Sequence, residues 1–200
     1  MPGLFMHQNN ETHPDPFAWP LAASQLFKSM DPVGVSADLL QAVHSDGVKV
    51  VVAEMIGFAA TGALGEQSGT RTGLTYGGGA GGNAVQTMRA FYPADPGLLL
   101  RTKNFYTSAA GTAQQAKLGT NRGAFFQIAA NNVADDVAQW GVVNVAGVIG
   151  TDVVAHVIDV LDDGMQSIIS TATLTAGVGW LVFRIIGNNQ WAGGVATVAT

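Results

Sequence analysis

The amino-acid sequence predicts a mainly β protein with an antiparallel β-sandwich or barrel-like core, a few short helices and an extended N-terminal arm. Three observations lead to this fold class. β-Branched residues alternate with small or polar residues across positions 140–163, and such residues pack well on a pleated surface. The chain has 26 glycines among its 200 residues, without a collagen-like period, and they divide it into strand-length pieces. Prolines are concentrated before position 33.

The strongest strand signal is the stretch 140–163, WGVVNVAGVIGTDVVAHVIDVLDD. Because Gly141, Gly147 and Gly150 interrupt it, we expect two or three consecutive antiparallel strands in a meander. Within residues 151–161 both alternating faces are mostly apolar, which predicts a strand that is covered on both sides. A helix is the competing interpretation, but the density of β-branched residues argues against it.

Residues 1–32 form the predicted arm, which precedes a single β-rich domain over residues 33–200. Proline removes backbone donors and favours extended geometry in the residue before it. The segment PDPFAWP therefore presents Phe17 and Trp19 on an extended backbone. This aromatic pair packs either on its own domain or on a neighbouring molecule, and the sequence leaves both possibilities open.

Short helices are predicted at three places. Residues 21–30 place Leu26, Phe27 and Met30 on one side of a helix, and residues 35–44 have Ser36 as a plausible N-cap followed by an apolar stripe. A helical turn is predicted after Asn131.

Further strands are predicted at residues 48–58, 98–106, 124–129 and 178–187, from their apolar and β-branched content. Between the first two lies a glycine-rich loop, at about residues 59–83, that contains Tyr76 and is a candidate interaction loop. The C-terminal tail, which includes Trp191, is expected to add an edge strand to its own sheet or to that of a neighbour.

Composition narrows the possible function classes. Charged residues make up 12% of the chain and the net charge is -5, whereas about 25% charged residues is usual. Either other subunits cover much of the surface, or the surface is rich in neutral polar residues. The nine basic residues are scattered, which argues against nucleic-acid binding. Cysteine is absent, which excludes disulfides and thiolate sites, and neither a signal peptide nor a membrane span is expected.

No motif carries a catalytic signature. Residues 77–82 match G-x-G-x-x-G, but a polar, glycine-containing segment precedes them where a dinucleotide site needs a buried strand. His7, His13 and Glu11 have weak spacing for a metal site, and Asp162-Asp163-Gly164 is better interpreted as a turn than as a cation site. We therefore expect no catalytic residues, no metal and no cofactor.

Asp159 is the carboxylate that stands out, because it lies in a mostly apolar strand. A buried carboxylate needs a partner, and we predict that Asp159 pairs with Arg184 across adjacent strands. His156, in the same strand, is expected to make a buried hydrogen bond or an interface contact. The four tryptophans are candidate stacking faces for a carbohydrate or another ligand: Trp19, Trp140, Trp180 and Trp191.

The second half of the chain resembles the decoration, or head-cement, proteins of tailed bacteriophage capsids. Four segments carry the resemblance: TSAAGTAQQAK, AFFQIAANN, WGVVNVAGVIGTDV and GWLVFRIIG. The resemblance implies a β-rich, often trimeric protein that binds at capsid symmetry axes without catalysis and uses arms to clamp its neighbours.

The expected function is therefore that of a non-enzymatic virion protein that binds and stabilises the capsid shell. Its expected partners are the major capsid protein and itself, as a homotrimer, with no nucleic acid and no membrane. It would be made in the host cytoplasm and lie on the capsid surface. The alternatives are a tail or minor head protein and a ligand-binding β-sandwich. The candidate interaction residues are Phe17, Trp19, Tyr76 and Trp191.

Overall fold

The computed structural model describes residues 3–7, 15–21, 25–36, 39–42, 55–60, 63–66, 88–95, 97–108, 113–130, 140–144 and 154–186. These residues contain sixteen strands and one 3₁₀ turn, Gly119–Asn121. The strands are β1 (Leu4–Met6), β2 (Phe17–Pro20), β3 (Gln25–Phe27), β4 (Pro32–Ser36), β5 (Leu39–Ala42), β6 (Met55–Ala59), β7 (Ala63–Glu66), β8 (Met88–Pro93), β9 (Leu99–Thr102), β10 (Phe105–Tyr106), β11 (Lys117–Leu118), β12 (Phe125–Ala130), β13 (Trp140–Val143), β14 (Val154–Leu161), β15 (Thr173–Leu174) and β16 (Trp180–Ile186).

The larger sheet has seven strands in the order β1-β9-β16-β14-β12-β13-β10. All its pairs are antiparallel except β10 with β13, which is parallel. Only Lys103 and Asn104 separate β9 from β10, so a short piece of chain joins strands that belong to opposite parts of the sheet. The sheet therefore curls around its inner face, although it does not close.

The smaller sheet has five antiparallel strands in the order β2-β8-β6-β4-β5. Its two edge strands approach each other at an isolated bridge between Leu21 and Leu40, so this sheet is curled as well. Two further pairs, β3 with β7 and β11 with β15, lie outside the two main sheets.

The main hydrophobic core lies on the inner face of the seven-stranded sheet and is also lined by the five-stranded sheet. Met55 and Phe58 of β6 join a buried cluster with Phe183, Phe126 and Trp140. The other side of β6 contributes to a second cluster inside the smaller sheet. β6 is buried along its whole length. This one strand therefore contributes side chains to both clusters and connects them. The predicted fold class, a mainly β sandwich-like core, is confirmed.

A buried polar corner holds the junction between β9 and β10 in place. Asn104 is fully buried, and its side-chain nitrogen Nδ2 donates to the carbonyl oxygen of Trp140 at 3.0 Å. Its side-chain oxygen accepts from Gln114, also at 3.0 Å. Gly141 allows this approach, because a Cβ at that position would lie 2.5 Å from the Cβ of Asn104. The glycine thus has a packing role in addition to its place in the sequence pattern.

The predicted strands at 98–106, 124–129 and 178–187 correspond to β9 with β10, β12 and β16, and the end of the one predicted at 48–58 is β6. The predicted meander is wrong in its pairing, because β12 lies between β13 and β14. Sheet neighbours are set by long-range contacts that a local pattern does not contain.

Within a single copy, β14 is covered on its inner side only, so the expected cover on its outer side would have to come from another subunit. Its inner residues Ala155, Val157 and Val160 are buried, but Ile158 is exposed and His156 is half-buried. The register with β16 shifts between Val157 and Asp159. This β-bulge inserts one residue and interrupts the simple alternation of faces.

Two predicted helices are strands. Residues 21–30 contain β3, which pairs with β7, and residues 35–44 contain the end of β4 and all of β5, with Ser36 opposite Leu39. The physical reason is tertiary, because Phe27, Val33 and Leu40 fill the second core cluster, which forms only inside a curled sheet. The helical turn predicted after Asn131 lies outside the described residues.

The predicted arm is part of the two sheets where it is described. β1 pairs with β9 at one edge of the seven-stranded sheet, and β2 pairs with β8 at one edge of the five-stranded sheet. Leu4 is buried in the main core. Of the two possibilities that the sequence left open, these segments therefore pack on their own chain, and residue 32 is not a boundary between separate bodies.

Candidate interaction surfaces

Phe17 and Trp19 lie on the edge strand β2. The Phe17 ring packs against that of Phe91 with 6.2 Å between centroids, yet 45% of the residue is exposed. Trp19 lies opposite Arg89 and packs against the second core cluster. Of this predicted aromatic pair, Phe17 is the one that the fold presents to solvent. Tyr76 and Trp191 lie outside the described residues, as does most of the predicted glycine-rich loop.

A row of side chains crosses the outer face of the seven-stranded sheet. Phe125, His156 and Arg184 occupy paired positions on β12, β14 and β16. The rings of Phe125 and His156 are stacked at 4.7 Å and 13°. Arg184 donates from Nε to Nδ1 of His156 at 3.3 Å, so the neutral imidazole carries its proton on Nε2.

The protonation state of His156 follows from this row. Burial, and then the positive charge of Arg184, lower the pKa of His156 below its ordinary value. The imidazole is therefore neutral at pH 7, and the net charge of the row is that of Arg184. His156 makes a hydrogen bond, but the expectation that this bond is buried is wrong, because it is exposed on the outer face of the sheet. An interface contact at His156 stays a prediction.

The predicted pairing of Asp159 with Arg184 is wrong. The bulge in β14 places Asp159 opposite Val182, while His156 lies opposite Arg184. The partner of Asp159 is Arg122, whose Nε lies 2.6 Å from Oδ1. Arg122 follows the 3₁₀ turn, and its distance of 37 positions from Asp159 along the chain hides this contact from any local pattern.

Arg122 and Asp159 are the centre of a hydrogen-bond network. Arg122 also donates to the carbonyl of Ile168, and the Ser167 hydroxyl donates to Asp159 Oδ2. The backbone amide of Val160 donates to Oδ1 at 2.8 Å. Burial by itself would raise the pKa of Asp159, but the bonds from Ser167, Arg122 and Val160 outweigh it and hold this pKa below its ordinary value. Asp159 is therefore an anion at neutral pH.

Four of the five exposed large apolar residues in the described part of the chain lie within four sequence positions of a residue of this network. Leu118 and Phe125 flank Arg122 in sequence, Ile158 adjoins Asp159, and Ile169 adjoins Ile168. We call these four residues the sheet patch; their exposed fractions are 39% for Leu118, 53% for Phe125, 38% for Ile158 and 71% for Ile169. Grouped apolar exposure of this kind marks a binding surface more often than scattered single residues do.

Residues 162–179, which we call the strap, connect β14 to β16. The predicted turn at Asp162-Asp163-Gly164 begins the strap, and the Met165 amide donates to the Asp162 carbonyl at 3.1 Å. Asp163 then makes an ion pair with Lys103 at 2.7 Å. The predicted hairpin-type turn is present, because an antiparallel bridge joins Leu161 to Ser167 and the Ile168 amide donates to the Val160 carbonyl at 3.0 Å.

The far end of the strap is held by a buried lysine. Lys117 is fully buried, and its Nζ donates to the Val178 carbonyl at 3.0 Å. Burial, and then the charge of Lys103, lower the pKa of Lys117 to about 8, while Asp163 opposes this shift. Nothing in the polar segment around Lys117 indicates burial, so the sequence gives no signal for this residue.

Trp180 lies at the start of β16, beside two cations. The guanidinium carbon of Arg101 is 4.8 Å from the ring centroid, and Nζ of Lys103 is 5.0 Å from it. Phe5 of β1 adds an edge-on contact at 5.8 Å. This ring therefore supports the junction of β1, β9 and β16 through cation–π contacts.

The ligand-stacking interpretation loses one of its four candidates, because Trp140 is fully buried. His13 and Glu11, whose spacing is weak for a metal site, lie outside the described residues. His7 is buried, and burial lowers its pKa. Within the described ranges, no three His, Asp or Glu residues are grouped as metal ligands would be, and no helix has the length and apolarity to cross a membrane.

Comparison of the chain with protein-family models, curated proteins and solved structures found no match. The functional argument therefore depends on the surfaces described above.

Proposed function

We propose that this protein is a non-enzymatic structural protein of a virion, which binds the capsid shell as a decoration or cement subunit. Its partners would be the major capsid protein and further copies of itself, assembled as a trimer. After synthesis in the host cytoplasm it would lie on the capsid surface. The resemblance of residues 107–187 to decoration proteins suggests the role. Two properties of the protein surface support it, the sheet patch and the low proportion of charged residues.

The sheet patch is the main support. It places apolar side chains on a rigid sheet and on the strap that is pinned to it by Arg122. Rigid, pre-formed apolar surfaces suit protein–protein contacts, because little conformational entropy is lost on binding. The low proportion of charged residues, 12%, is also expected for a chain whose surface is partly covered by neighbours.

Capsid binding is tested with shells prepared from the encoding virus after deletion of the gene for this chain. Purified protein is mixed with these shells, and the bound fraction is measured by co-sedimentation. We expect saturable binding and a higher temperature of shell disruption, because a ligand that binds the assembled state stabilises it. Absence of the protein from the sedimented shells would contradict the proposal.

The matched variant is Phe125→Ser, which removes the one aromatic ring of the sheet patch and leaves the buried core unchanged. It should reduce shell binding at least about tenfold, both if the patch contacts the capsid directly and if it joins the copies that bind the shell together. Arg122 must be left intact in this experiment, because it holds the strap. Electron microscopy of intact virions provides the remaining distinction: density for the protein on the tail, and none on the capsid, would favour the tail-protein alternative.

A further inference from the structure

The exposed large apolar residues of the described chain fall into two groups that carry opposite charges. The first group is the sheet patch, whose Phe125 is linked through His156 to the exposed cation Arg184. The second consists of Phe17 alone, which exposed Asp15 precedes by two residues. One surface thus combines apolar side chains with a positive charge, and the other combines an aromatic ring with a negative charge.

Both surfaces lie on strands or directly beside them. Pro16 favours extended geometry at Asp15, and side chains two positions apart in an extended chain point to the same side. Asp15 and Phe17 are therefore presented together at the start of β2. On the other surface, Phe125 and Arg184 are fixed by their pairing on β12, β14 and β16.

We propose that the Asp15–Phe17 segment of one copy docks on the sheet patch of a second copy, with Phe17 against Phe125 and Ile158 and with Asp15 facing Arg184. Charge complementarity decides the orientation. Docking of two sheet patches face to face would place two Arg184 cations in one interface without a free carboxylate from either patch to balance them, since Asp159 is already held by Arg122. The partner surface must therefore supply an acid, as the β2 segment does.

A contact between two different surfaces of the same chain is heterologous, and such contacts close into rings when the rotation between copies allows it. The inference deepens the proposed assembly role by naming the surfaces through which copies would meet. Self-association is measured on the purified protein alone, and shell binding is measured by co-sedimentation, so a monomeric chain and an absence of shell binding are separate results. A copy whose sheet patch holds Phe17 of its neighbour would bind the shell through another surface.

The test is the oligomeric state of the full chain, measured by sedimentation velocity over a range of concentrations. We expect a closed oligomer for the natural sequence. Asp15→Lys and Arg184→Glu should each raise its dissociation constant at least about tenfold, because each places like charges across the contact. The double variant restores opposite charges and should recover most of the association.

Lys28→Glu is the matched control, since it reverses an exposed charge that belongs to neither of the two surfaces, and it should leave association unchanged. Phe17→Ser is a second, uncharged variant, which should also weaken association. Circular dichroism and thermal unfolding of every variant show whether the fold is retained. A monomeric natural chain at all concentrations would overturn the proposal, and so would an oligomer that is indifferent to these substitutions or a double variant without recovery.

Discussion

Lys117 shows how a single residue links burial to a pH dependence of stability. Its pKa is about 8 in the folded protein, against 10.5 for an ordinary lysine. Below about pH 8 both the folded and the unfolded chain hold the proton. Above it the unfolded chain holds a proton that the folded chain has lost, so the free energy of unfolding rises with pH.

We expect the contribution of Lys117 to this rise to be about 2 kcal/mol between about pH 8 and pH 9.5. Burial also raises the pKa of Tyr106, which lowers stability once unfolded tyrosine ionises near pH 10, so the measurement stops before that point. Urea unfolding at several pH values provides the free energies. Lys117→Met should remove the rise, whereas Lys28→Met, at an exposed lysine, should retain it. An unchanged slope in Lys117→Met would show that this amine is not the group that titrates.

At the scale of an element, the register of β14 against β16 decides which residue lies beside Arg184, and a bulge then displaces Asp159 by one position. The alternating pattern predicted β14 and β16 as strands, and both are present. The same pattern does not predict the β-bulge, because a bulge depends on how the strand pairs with its neighbour. The register before the bulge already pairs His156 with Arg184. After the bulge Asp159 lies opposite Val182, and its carboxylate bonds to Arg122.

A double-mutant cycle separates the two possible partners of Asp159. Arg122→Met should lower the free energy of unfolding by about 1–3 kcal/mol, because it leaves a half-buried carboxylate without its cation. Arg184→Met, at an exposed position, should change it by less than about 0.5 kcal/mol. The coupling energy with Asp159→Asn should be large for Arg122 and near zero for Arg184. A large coupling energy for Arg184 and one near zero for Arg122 would mean that Arg184 is the partner of Asp159, as the sequence suggested.

Hydrogen exchange reports on the strap directly. In Arg122→Met the backbone amides of residues 162–179 should exchange faster than those of β16, because Arg122 also holds the carbonyl of Ile168. Loss of protection spread evenly over all strands would mean that Arg122 supports the whole fold, with no particular role in the strap.

For the molecule as a whole, local patterns predicted the strands of the main core better than their arrangement. β12 and β16 were evident because apolar residues alternate along them. The adjacency of β12 to both β13 and β14 was not evident, since it brings together residues that are far apart in sequence. Phe27 and Leu40 were placed in helices because the curled sheet that buries them has no local signature. The prolines around Phe17 indicate from the sequence that this residue is a candidate interaction residue. The sheet patch cannot be recognised from the sequence, because its residues come from separate segments of the chain.

The N-terminal segments contribute to the cores of both sheets, so their removal should impair folding itself and not only association between copies. Residues 1–20 include β1 and β2, and with them Leu4, which is buried in the main core, and Trp19, which packs on the second cluster. Loss of one buried leucine alone costs about 2–5 kcal/mol, a large part of a typical stability of about 5–15 kcal/mol. We therefore expect deletion of residues 1–20 to abolish cooperative thermal unfolding.

Phe17→Ser, which leaves both strands in place, separates the two effects. It should retain cooperative thermal unfolding, because 45% of Phe17 is already exposed, and it should lose association between copies. A deletion variant that unfolds cooperatively near the temperature of the full chain would show instead that β1 and β2 are dispensable for the core. The N-terminal segments would then act mainly between molecules, and association measurements on the deletion variant would become a direct test of their role.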